Sequence, residues 1–356
     1  MALKAVVTAA GAPGGPCIIK ALKSVKEREL YVVATDVRRD AAGLYLADKR
    51  YIVPMGTDPN YVKAMLSICK SEGAEVVLPL SSMELLALSR SVEEFEKVGA
   101  KVLVSNYESV RIALSKHLVY EFLESHGLGD VVPRHRLINT YAELREALED
   151  LGFPEKPVVV KPPASKGQRG FRVLIEGLRD FREIYESKPT DPFMDASTFL
   201  RMYRDSGEGR ELLVMEYLPG KEFTVDALCL EGEPIVVVPR ERVKVVQGIS
   251  VIARVVRNEE LIRITESIIK LLRFSYVINV QFKYGPHGRP KLLEINPRVA
   301  GTVCATIEAG ANLPYLAMKL ALNEDFEVPR VRWGTVFVRY WDHVVLGKPA
   351  QRLTTQ

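Results

Sequence analysis

Short apolar runs alternate with amphipathic segments at the start of the chain. Residues 5–9, 31–34, 76–80 and 102–104 are short and apolar, and helical patterns begin near Ile18 and near Glu84. Buried strands that alternate with helices are typical of a parallel sheet with helices on both faces. We therefore predict a doubly wound α/β domain over the first ~110 residues.

The rest of the chain has a different pattern, in which strands dominate. Residues 109–127 have a helical pattern, residues 157–161 form a β-branched strand, and residues 187–210 are polar with a helical piece near 196–203. Strand patterns follow at 211–218, 221–228, 235–239, 240–246 and 277–283, with one helix at 259–272. A turn at residues 286–288 then predicts a hairpin between residues 277–283 and 292–298.

Three polar side chains alternate along the last of these strands. Glu294, Asn296 and Arg298 occupy every second position, so a strand places them on one face. The hairpin would bring Gln281 close to Glu294 and Asn296. Carboxylate and amide oxygens suit Mg²⁺, and a guanidinium suits phosphate. Taken alone, the triplet also fits a half-solvated edge strand.

Lys161 ends a β-branched strand, and a loop with two glycines and two cations follows it at residues 164–170. Backbone N–H groups and an ammonium group in this arrangement can hold phosphate, although the spacing is not that of a Walker A loop. A basic surface turn is the alternative. Lys116, taken alone, is typical of a solvated helix lysine. Arg240, Arg242 and Lys244 alternate on one strand, where they either line an anionic site or face solvent, and solvent is the default expectation.

A glycine-rich turn follows the first strand. Its glycines are Gly11, Gly14 and Gly15, and Pro16 stands where a dinucleotide-binding fingerprint has its third glycine. Asp36 ends the second strand, as a ribose-binding acid would, but an acid is also common at a strand end. Nicotinamide-dependent oxidoreduction therefore stays open as an alternative function. The helix after the turn would attract an anion in either case.

Composition narrows the functional classes. The 356 residues exceed the size of one core and predict two or three domains, and 47% hydrophobic with 26% charged residues is typical of a soluble enzyme. The net charge of +4 comes without a basic block, so we expect no nucleic-acid partner. We find no apolar run long enough to span a bilayer and no signal-peptide pattern, so we expect a cytoplasmic protein without a membrane partner. The cysteines are scattered, which predicts free thiols and no metal site at Cys17, Cys69, Cys229 and Cys304.

The ordered set of these motifs resembles the ATP-grasp superfamily, and especially its carbamoyl-phosphate-synthetase-like branch of carboxylate-amine ligases. The resemblance covers nearly the whole chain. It implies a Rossmann-like N-terminal domain at residues 1–112, a linker helix and the mobile lid of the ATP-grasp domain at 113–212, and an α+β grasp core at 213–356. The segments that carry it are the glycine turn, Lys116, the strand 158–161 with its loop, and residues 215–222, 279–282 and 293–298.

The resemblance also implies a role for each matching residue. The residues implied to bind ATP are Lys116, Lys161, Ser165, Gly167, Gly170, Glu216, Tyr217, Leu218, Glu222 and Asn296, with the loop at 165–170 closing over the phosphates. The implied metal ligands are Gln281, Glu294 and Asn296. The implied catalytic cations are Lys161 and Arg298, and apart from the resemblance we also expect Arg254 to be a catalytic cation. Many members of the family carry a carboxylate where this chain has Gln281, so this metal site has one negative charge fewer.

The implied reaction joins a carboxylate to an amine or another nucleophile. ATP would convert the carboxylate to an acyl phosphate, with one or two Mg²⁺ ions, for which Mn²⁺ can substitute, and ADP and phosphate would be released. Cations would offset the repulsion between two anions.

We expect the small-molecule carboxylate between the N-terminal domain and the grasp core. The residues expected near it are Gly14, Gly15, Ser81, Ser82 and Glu84 on one side and Arg240, Arg242 and Arg254 on the other. Symmetry favours a homodimer. The alternatives are the oxidoreductase and a catalytically silent ATP-binding protein.

Overall fold

The first layer of the molecule is a parallel sheet with helices on both faces. The computed structural model describes residues 2–164, 170–177 and 192–346. The first sheet and its helices are β1 (Leu3–Val7), α1 (Gly15–Lys23), β2 (Leu30–Asp36), a 3₁₀ helix (Ala42–Tyr45), β3 (Lys49–Ile52), α2 (Tyr61–Glu72), β4 (Val76–Leu78), α3 (Leu85–Arg90), α4 (Val92–Lys97) and β5 (Lys101–Val102). The strand order is β3-β2-β1-β4-β5 and every pair is parallel, which confirms the predicted doubly wound fold.

A second, smaller sheet follows two connecting helices. The elements of this part are α5 (Tyr107–Ala113), α6 (Lys116–Ser125), a 3₁₀ helix (Gly129–Val131), β6 (His135–Ile138), α7 (Tyr141–Asp150), β7 (Val158–Lys161), β8 (Arg172–Ile175), β9 (Phe193–Asp195), α8 (Ala196–Ser206) and β10 (Leu212–Glu216). The strand order is β6-β10-β7-β8-β9. The predicted boundary at residue 212 falls inside β10, which pairs with β6 and β7, so we propose a boundary after Glu216 instead.

The third sheet is antiparallel and is the largest. Its part of the chain contains β11 (Glu222–Leu230), β12 (Glu233–Val246), β13 (Ile249–Val255), α9 (Glu259–Leu272), β14 (Tyr276–Tyr284), β15 (Pro290–Asn296), α10 (Cys304–Glu308), α11 (Leu313–Ala321) and β16 (Val336–Val338). The strand order is β15-β14-β11-β12-β13-β16. The predicted helix at 259–272 and the predicted hairpin of β14 and β15 are both present.

Two local predictions were right in the type of element but not in its division, and one was wrong. The helical pattern at 109–127 is two helices, because Ser115 caps α6 through a 3.4 Å hydrogen bond from the Leu118 N–H. The two patterns at 235–239 and 240–246 form one strand, β12. The strand β11 is buried on both faces rather than half-buried, because Leu228 joins the core beneath the first sheet while Phe223 packs in the core against α9.

The prediction of four free thiols is also wrong. Cys17 of α1 and Cys304 of α10 form a disulfide, and Cys69 and Cys229 are buried and free. The bonded pair is separated by 287 positions in the chain, so its proximity depends on how the first and third sheets pack together. The wide spacing of the cysteines along the sequence therefore did not exclude a disulfide bond.

The hydrophobic core joins the first and third sheets. One cluster contains Val7 of β1, Ile18 of α1, Val238 of β12 and Met318 of α11. In the part of the chain that the structure describes, every helix is too short or too polar to pass through a bilayer. The cytoplasmic location stays a prediction.

Candidate active site

A cavity of about 520 Å³ lies where the three sheets meet. Strands β7, β8 and β10 of the second sheet form one wall, and strands β11, β12, β14 and β15 of the third sheet form the opposite wall. The glycine turn at residues 12–15 and the segment 298–302 close one end. The motifs that are scattered along the chain therefore meet in one space.

The end of the cavity between the second and third sheets is an apolar slot. The slot is formed by Val159, Phe171, Val173, Phe193, Met215, Tyr217, Leu218 and Leu293, which pack as one cluster and all line the cavity. Polar groups lie at its margin: the Glu216 carboxylate accepts a 2.9 Å hydrogen bond from the Arg134 N–H, and Lys283 stands 5.4 Å from the centre of the Tyr217 ring. A narrow apolar space with few polar groups fits a flat heterocycle.

Two lysines and one glutamate meet beyond the slot. Lys116 Nζ lies 3.3 Å from Glu294 Oε2, and Lys116 is buried rather than solvated. Lys161 is 5% exposed, and burial together with the charge of Lys116 lowers its pKa to about 7, against the opposing effect of Glu294. Burial opposes ionisation of Glu294, but Lys116, the hydrogen bond from Asn296 and Lys161 together outweigh it, so the pKa of Glu294 is lowered. The two lysines of this cluster are held close together beside one carboxylate, and two neighbouring ammonium groups are suited to binding phosphate.

The polar triplet continues from this cluster along β15. In the register of the hairpin, Gln281 lies opposite Glu294 and Asn279 lies opposite Asn296, as predicted for Gln281. Asn296 donates a 3.0 Å hydrogen bond to Glu294 and accepts a 3.1 Å bond from Arg298. Arg298 is half-buried, and its Nε is enclosed and has no partner among the residues that the structure describes.

The donor set of this hairpin fits a magnesium ion. Glu294, Asn296 and Gln281 supply hard oxygens from two adjacent strands. Glu294 alone of the three carries a negative charge, which suits an ion that keeps most of its coordination for phosphate and water. No cluster of three or more His, Cys, Asp or Glu side chains suited to a metal occurs in the described residues.

Arg242 organises the side of the cavity next to the hairpin. Its Nη1 donates to the Glu222 carboxylate and, at 3.1 Å, to Gln281, and its Nε donates to Ser250 Oγ at 2.9 Å. Arg242 is therefore not solvated. Glu222 and Gln281, which the sequence places in two separate motifs, share this one guanidinium.

A second charged pair lies deeper in the third sheet. Arg240 of β12 donates to Asp226 of β11 through Nε at 2.8 Å and through Nη2 at 3.0 Å, and both side chains are completely buried. Asp226 also accepts hydrogen bonds from Asn279 at 2.8 Å and from Thr306 at 2.6 Å. The expectation that the cations of β12 face solvent is wrong for Arg240.

Arg254 is separate from these residues. It pairs across the strands with Glu241, whose side chain lies on the opposite face of β12 from Arg240 and Arg242. Arg254 is exposed and is not among the described residues that line the cavity. The structure therefore gives no support to its predicted catalytic role.

The glycine turn is shaped by close packing. A Cβ atom on Gly15 would lie 2.1 Å from the Ala10 carbonyl oxygen, and one on Gly14 would lie 3.0 Å from Gly301 Cα. Asp36 accepts hydrogen bonds from the N–H groups of Gly11 at 2.7 Å and Arg38 at 2.8 Å. Its carboxylate stabilises the turn itself, which accounts for this acid without a nicotinamide ribose.

A second cavity of about 350 Å³ adjoins the triplet on the side of the first sheet. Ser81 and Ser82 line it together with Gly11, Asp36 and Arg298. Glu84 lies behind these serines, where burial raises its pKa and where Thr8, Tyr61 and the Ser81 N–H donate to it. Glu84 therefore supports the turn and is not among the described residues lining either cavity.

The loop after Lys161 is described only at its ends. Gly170 has φ +73° and a Cβ there would lie 2.8 Å from the Pro162 ring, so packing and backbone conformation both require glycine. The predicted ATP-binding residues Ser165 and Gly167 lie outside the described residues.

Sequence reasoning missed several residues of the site. Asp226 and Lys283 were not predicted, although an acid inside the apolar run 223–229 is a signal of a buried ion pair. Thr306 and most of the apolar slot carry no such signal. Their importance depends on which strands and helices become neighbours.

Family models match both halves of this arrangement. Residues 12–103 match the PylC-like N-terminal domain, and residues 208–343 match a family described as ATP-grasp in the biosynthetic pathway with Ter operon. The resemblance of this chain to the ATP-grasp superfamily is therefore confirmed.

Carbamoyl phosphate synthase large chains are among the curated relatives. That of Lachnoclostridium phytofermentans is 26% identical over 318 residues, which cover 85% of this chain and 26% of the relative. That of Methanothermobacter thermautotrophicus is 24% identical over 321 residues, which cover 85% of this chain and 28% of the relative. The chain thus spans little more than a quarter of the length of these relatives.

Solved structures show the same fold. N5-carboxyaminoimidazole synthetase from Staphylococcus aureus matches with a TM-score of 0.65 at 14% identity, covering 93% of this chain and 81% of that one. The biotin carboxylase domain dimer of 2-oxoglutarate carboxylase from Hydrogenobacter thermophilus, in complex with MgADP, ADP and bicarbonate, matches with a TM-score of 0.64 at 17% identity. The match covers 94% of this chain and 74% of that one.

Proposed function

We propose that the protein is an ATP- and Mg²⁺-dependent ligase that joins a carboxylate to an amine or another nucleophile through an acyl phosphate. The observation that carries the proposal is the continuity of the large cavity. An apolar slot for a flat ring leads directly to Lys116, Lys161 and Arg298 and to the hard oxygens beside them. A nucleoside triphosphate matches this order, because it has a flat ring at one end and a chain of phosphates that binds cations at the other.

The roles of the residues follow from their positions. The slot would hold adenine, with Glu216, Tyr217 and Leu218 at its edge, and Glu222 would accept hydrogen bonds from ribose. Lys116 and Lys161 would bind phosphate oxygens. Gln281, Glu294 and Asn296 would hold one Mg²⁺, for which we propose Mn²⁺ as a substitute, and the ion would neutralise phosphate charge.

The chemistry depends chiefly on neutralising charge. Attack of a carboxylate oxygen on the γ-phosphorus brings two anions together, and ADP leaves as the new C–O–P linkage forms. Lys161 and Arg298, which both line the cavity, would offset that repulsion. The amine then attacks the carbonyl carbon and phosphate leaves, giving an amide. The slot and the packed turn at residues 12–15 would keep water away from the intermediate.

The proposal is tested by ADP release. Purified protein is incubated with ATP, Mg²⁺, and a panel of small carboxylates and amines, including hydrogencarbonate and amino acids. We expect one pair to stimulate ADP release, and we expect Lys161→Ala and Glu294→Ala to abolish the stimulation. Lys70→Ala, a change of an exposed lysine on α2, is the matched control and should behave as wild type.

Two other outcomes would replace the proposal. Nucleotide binding without acceptor-stimulated turnover would indicate a catalytically silent ATP-binding protein. Thermal stabilisation by NADH but not by ATP with Mg²⁺ would indicate the oxidoreductase. The homodimer is likewise a proposal, and light scattering of the purified protein tests it directly.

A further inference from the structure

Arg240 is a buried cation, and one of its donor groups has no acceptor among the described residues. It is completely buried and lines the large cavity, and its Nε and Nη2 are taken up by Asp226. Its Nη1 has no partner among the residues that the structure describes. A buried guanidinium N–H without an acceptor is costly, so such a group signals a ligand that completes it.

The direction of that donor is fixed by the residues behind it. Asp226 holds the guanidinium with two parallel bonds, and Asn279 and Thr306 hold the Asp226 carboxylate in turn. All four acceptor positions of the carboxylate are therefore used inside the protein. Arg240 cannot turn toward another acceptor without breaking this network, so Nη1 is held in one position beside the cavity that Arg240 lines.

Arg240 is connected to the closed end of the cavity, because its partner Asp226 accepts a hydrogen bond from Thr306, which follows the segment 298–302. The same cavity is lined at its closed end by Ala12, Pro13, Ile18 and Ala300, which are small or apolar. The acids that line the cavity lie elsewhere and already accept hydrogen bonds or ion pairs: Glu216 from the Arg134 N–H, Glu222 from Arg242, and Glu294 from Lys116 and Asn296. The closed end therefore suits a small anion.

We propose that Arg240 binds the carboxylate of the substrate through Nη1, and that Asp226 and Thr306 are positioning residues for it. The inference rests on the proposed ligase function and deepens it by assigning the carboxylate subsite. A planar guanidinium held on one edge presents its remaining N–H groups to a planar acceptor, which is the geometry that a carboxylate matches. The ligand is a small carboxylate, either hydrogencarbonate or an organic acid.

The test separates nucleotide binding from acid binding. Calorimetry first gives the Kd of ADP with Mg²⁺, and then acetate, propanoate, L-alanine and hydrogencarbonate are titrated into the ADP-saturated protein. We expect at least one of these acids to bind wild type, and Arg240→Met to raise its Kd by about tenfold or more while the Kd of ADP stays within about twofold. The identity of the acid that binds shows whether the substrate is hydrogencarbonate or an organic carboxylate.

Two variants keep the test decisive if Arg240→Met fails to fold. Arg240→Lys retains a cation for Asp226 but has no planar fork, and it should lose acid binding in the same way. Thr306→Val removes one bond to Asp226 outside the cavity lining and should raise the Kd of the acid while the Kd of ADP is unchanged. Arg263→Met, at an exposed arginine on α9, is the matched control.

Acid binding that is unchanged in Arg240→Lys and Arg240→Met would overturn the inference, and so would ADP binding by a wild-type protein that binds none of the four acids. Failure of wild type to bind ADP would instead overturn the proposed function.

Discussion

Lys116 Nζ lies 3.3 Å from Glu294 Oε2, so the first turn of helix α6 is joined to strand β15 of the third sheet. This ion pair occupies the point where the cavity changes from apolar to charged. Glu294 is surrounded by Lys116, Lys161 and Arg298, and it is the one acid among them. Its charge is therefore favourable with a metal ion present and unfavourable for a bare phosphate.

Glu294→Gln should accordingly have opposite effects with and without magnesium. In EDTA, we expect ADP to bind the variant as tightly as wild type or more tightly, because a repelling anion is gone. With Mg²⁺ present, we expect weaker ADP binding than in wild type and a loss of turnover of about 100-fold or more. Calorimetry in both buffers checks this, and equal weakening in the two buffers would contradict the role given to Glu294.

The depressed pKa of Lys161 predicts a pH dependence of nucleotide binding. Its folded pKa of about 7 lies below the usual value of 10.5, so the free protein loses this positive charge as pH rises through 7. Above pH 7 the Kd of ADP should rise by up to about tenfold for each pH unit, until the higher pKa of the complex is reached.

Measurements from pH 7.5 to 9.5 test this while the charge of the nucleotide is constant. Lys161→Arg stays charged over that range and should give a flat profile. A slope that persists in Lys161→Arg and in Lys161→Met would assign the titration to another group.

The disulfide between Cys17 and Cys304 predicts a loss of stability on reduction. The bond closes a loop of 287 positions, and removing so long a constraint from the unfolded chain should cost several kcal/mol, up to about 5. Urea unfolding should therefore shift to lower denaturant in wild type with reductant and in the double variant Cys17→Ser, Cys304→Ser. Reductant should have no effect on the double variant; an unchanged midpoint in wild type would contradict the prediction.

Gly15→Ala should be strongly destabilising. The added Cβ would meet the Ala10 carbonyl oxygen at 2.1 Å, a backbone atom that cannot move without disturbing the turn. We expect a loss of about 3 kcal/mol in the free energy of unfolding. Gly301→Ala is the matched control, because its nearest described neighbour would be the Pro13 side chain at 3.6 Å. Similar stabilities of the two variants would show that the turn adapts.

The fold could be predicted from the sequence wherever burial leaves a continuous apolar run. The strands near Val6, Val33 and Val77 were recognised for this reason, since both faces of the first sheet are covered. Strand β3 was missed because it lies at the edge of that sheet and its first two residues, Lys49 and Arg50, are exposed.

The site was predictable only in part, because motifs identify residues but not strand neighbours. The short turn predicts the hairpin that contains Gln281 and Glu294, but the bulge between Gln281 and Phe282 that brings these two residues opposite each other does not follow from the turn. Arg240 meets Asp226 only because β12 folds back on β11, and Thr306 reaches the same carboxylate from α10. Arg254 was assigned to the site from its charge, but the cross-strand pairing with Glu241 places it on the other face.

The excess of positive over negative side chains around the large cavity also affects how long the protein survives heat and proteases. Among the residues that the structure describes, six cations and three acids line the cavity. The cations are Lys116, Lys161, Arg240, Arg242, Lys283 and Arg298, and the acids are Glu216, Glu222 and Glu294. Mutual repulsion of these cations opposes compaction, and a bound polyanion removes that opposition. Because a ligand that binds only the native state shifts the unfolding equilibrium by mass action, heat resistance and survival against proteases should both rise and fall with the nucleotide concentration around the protein.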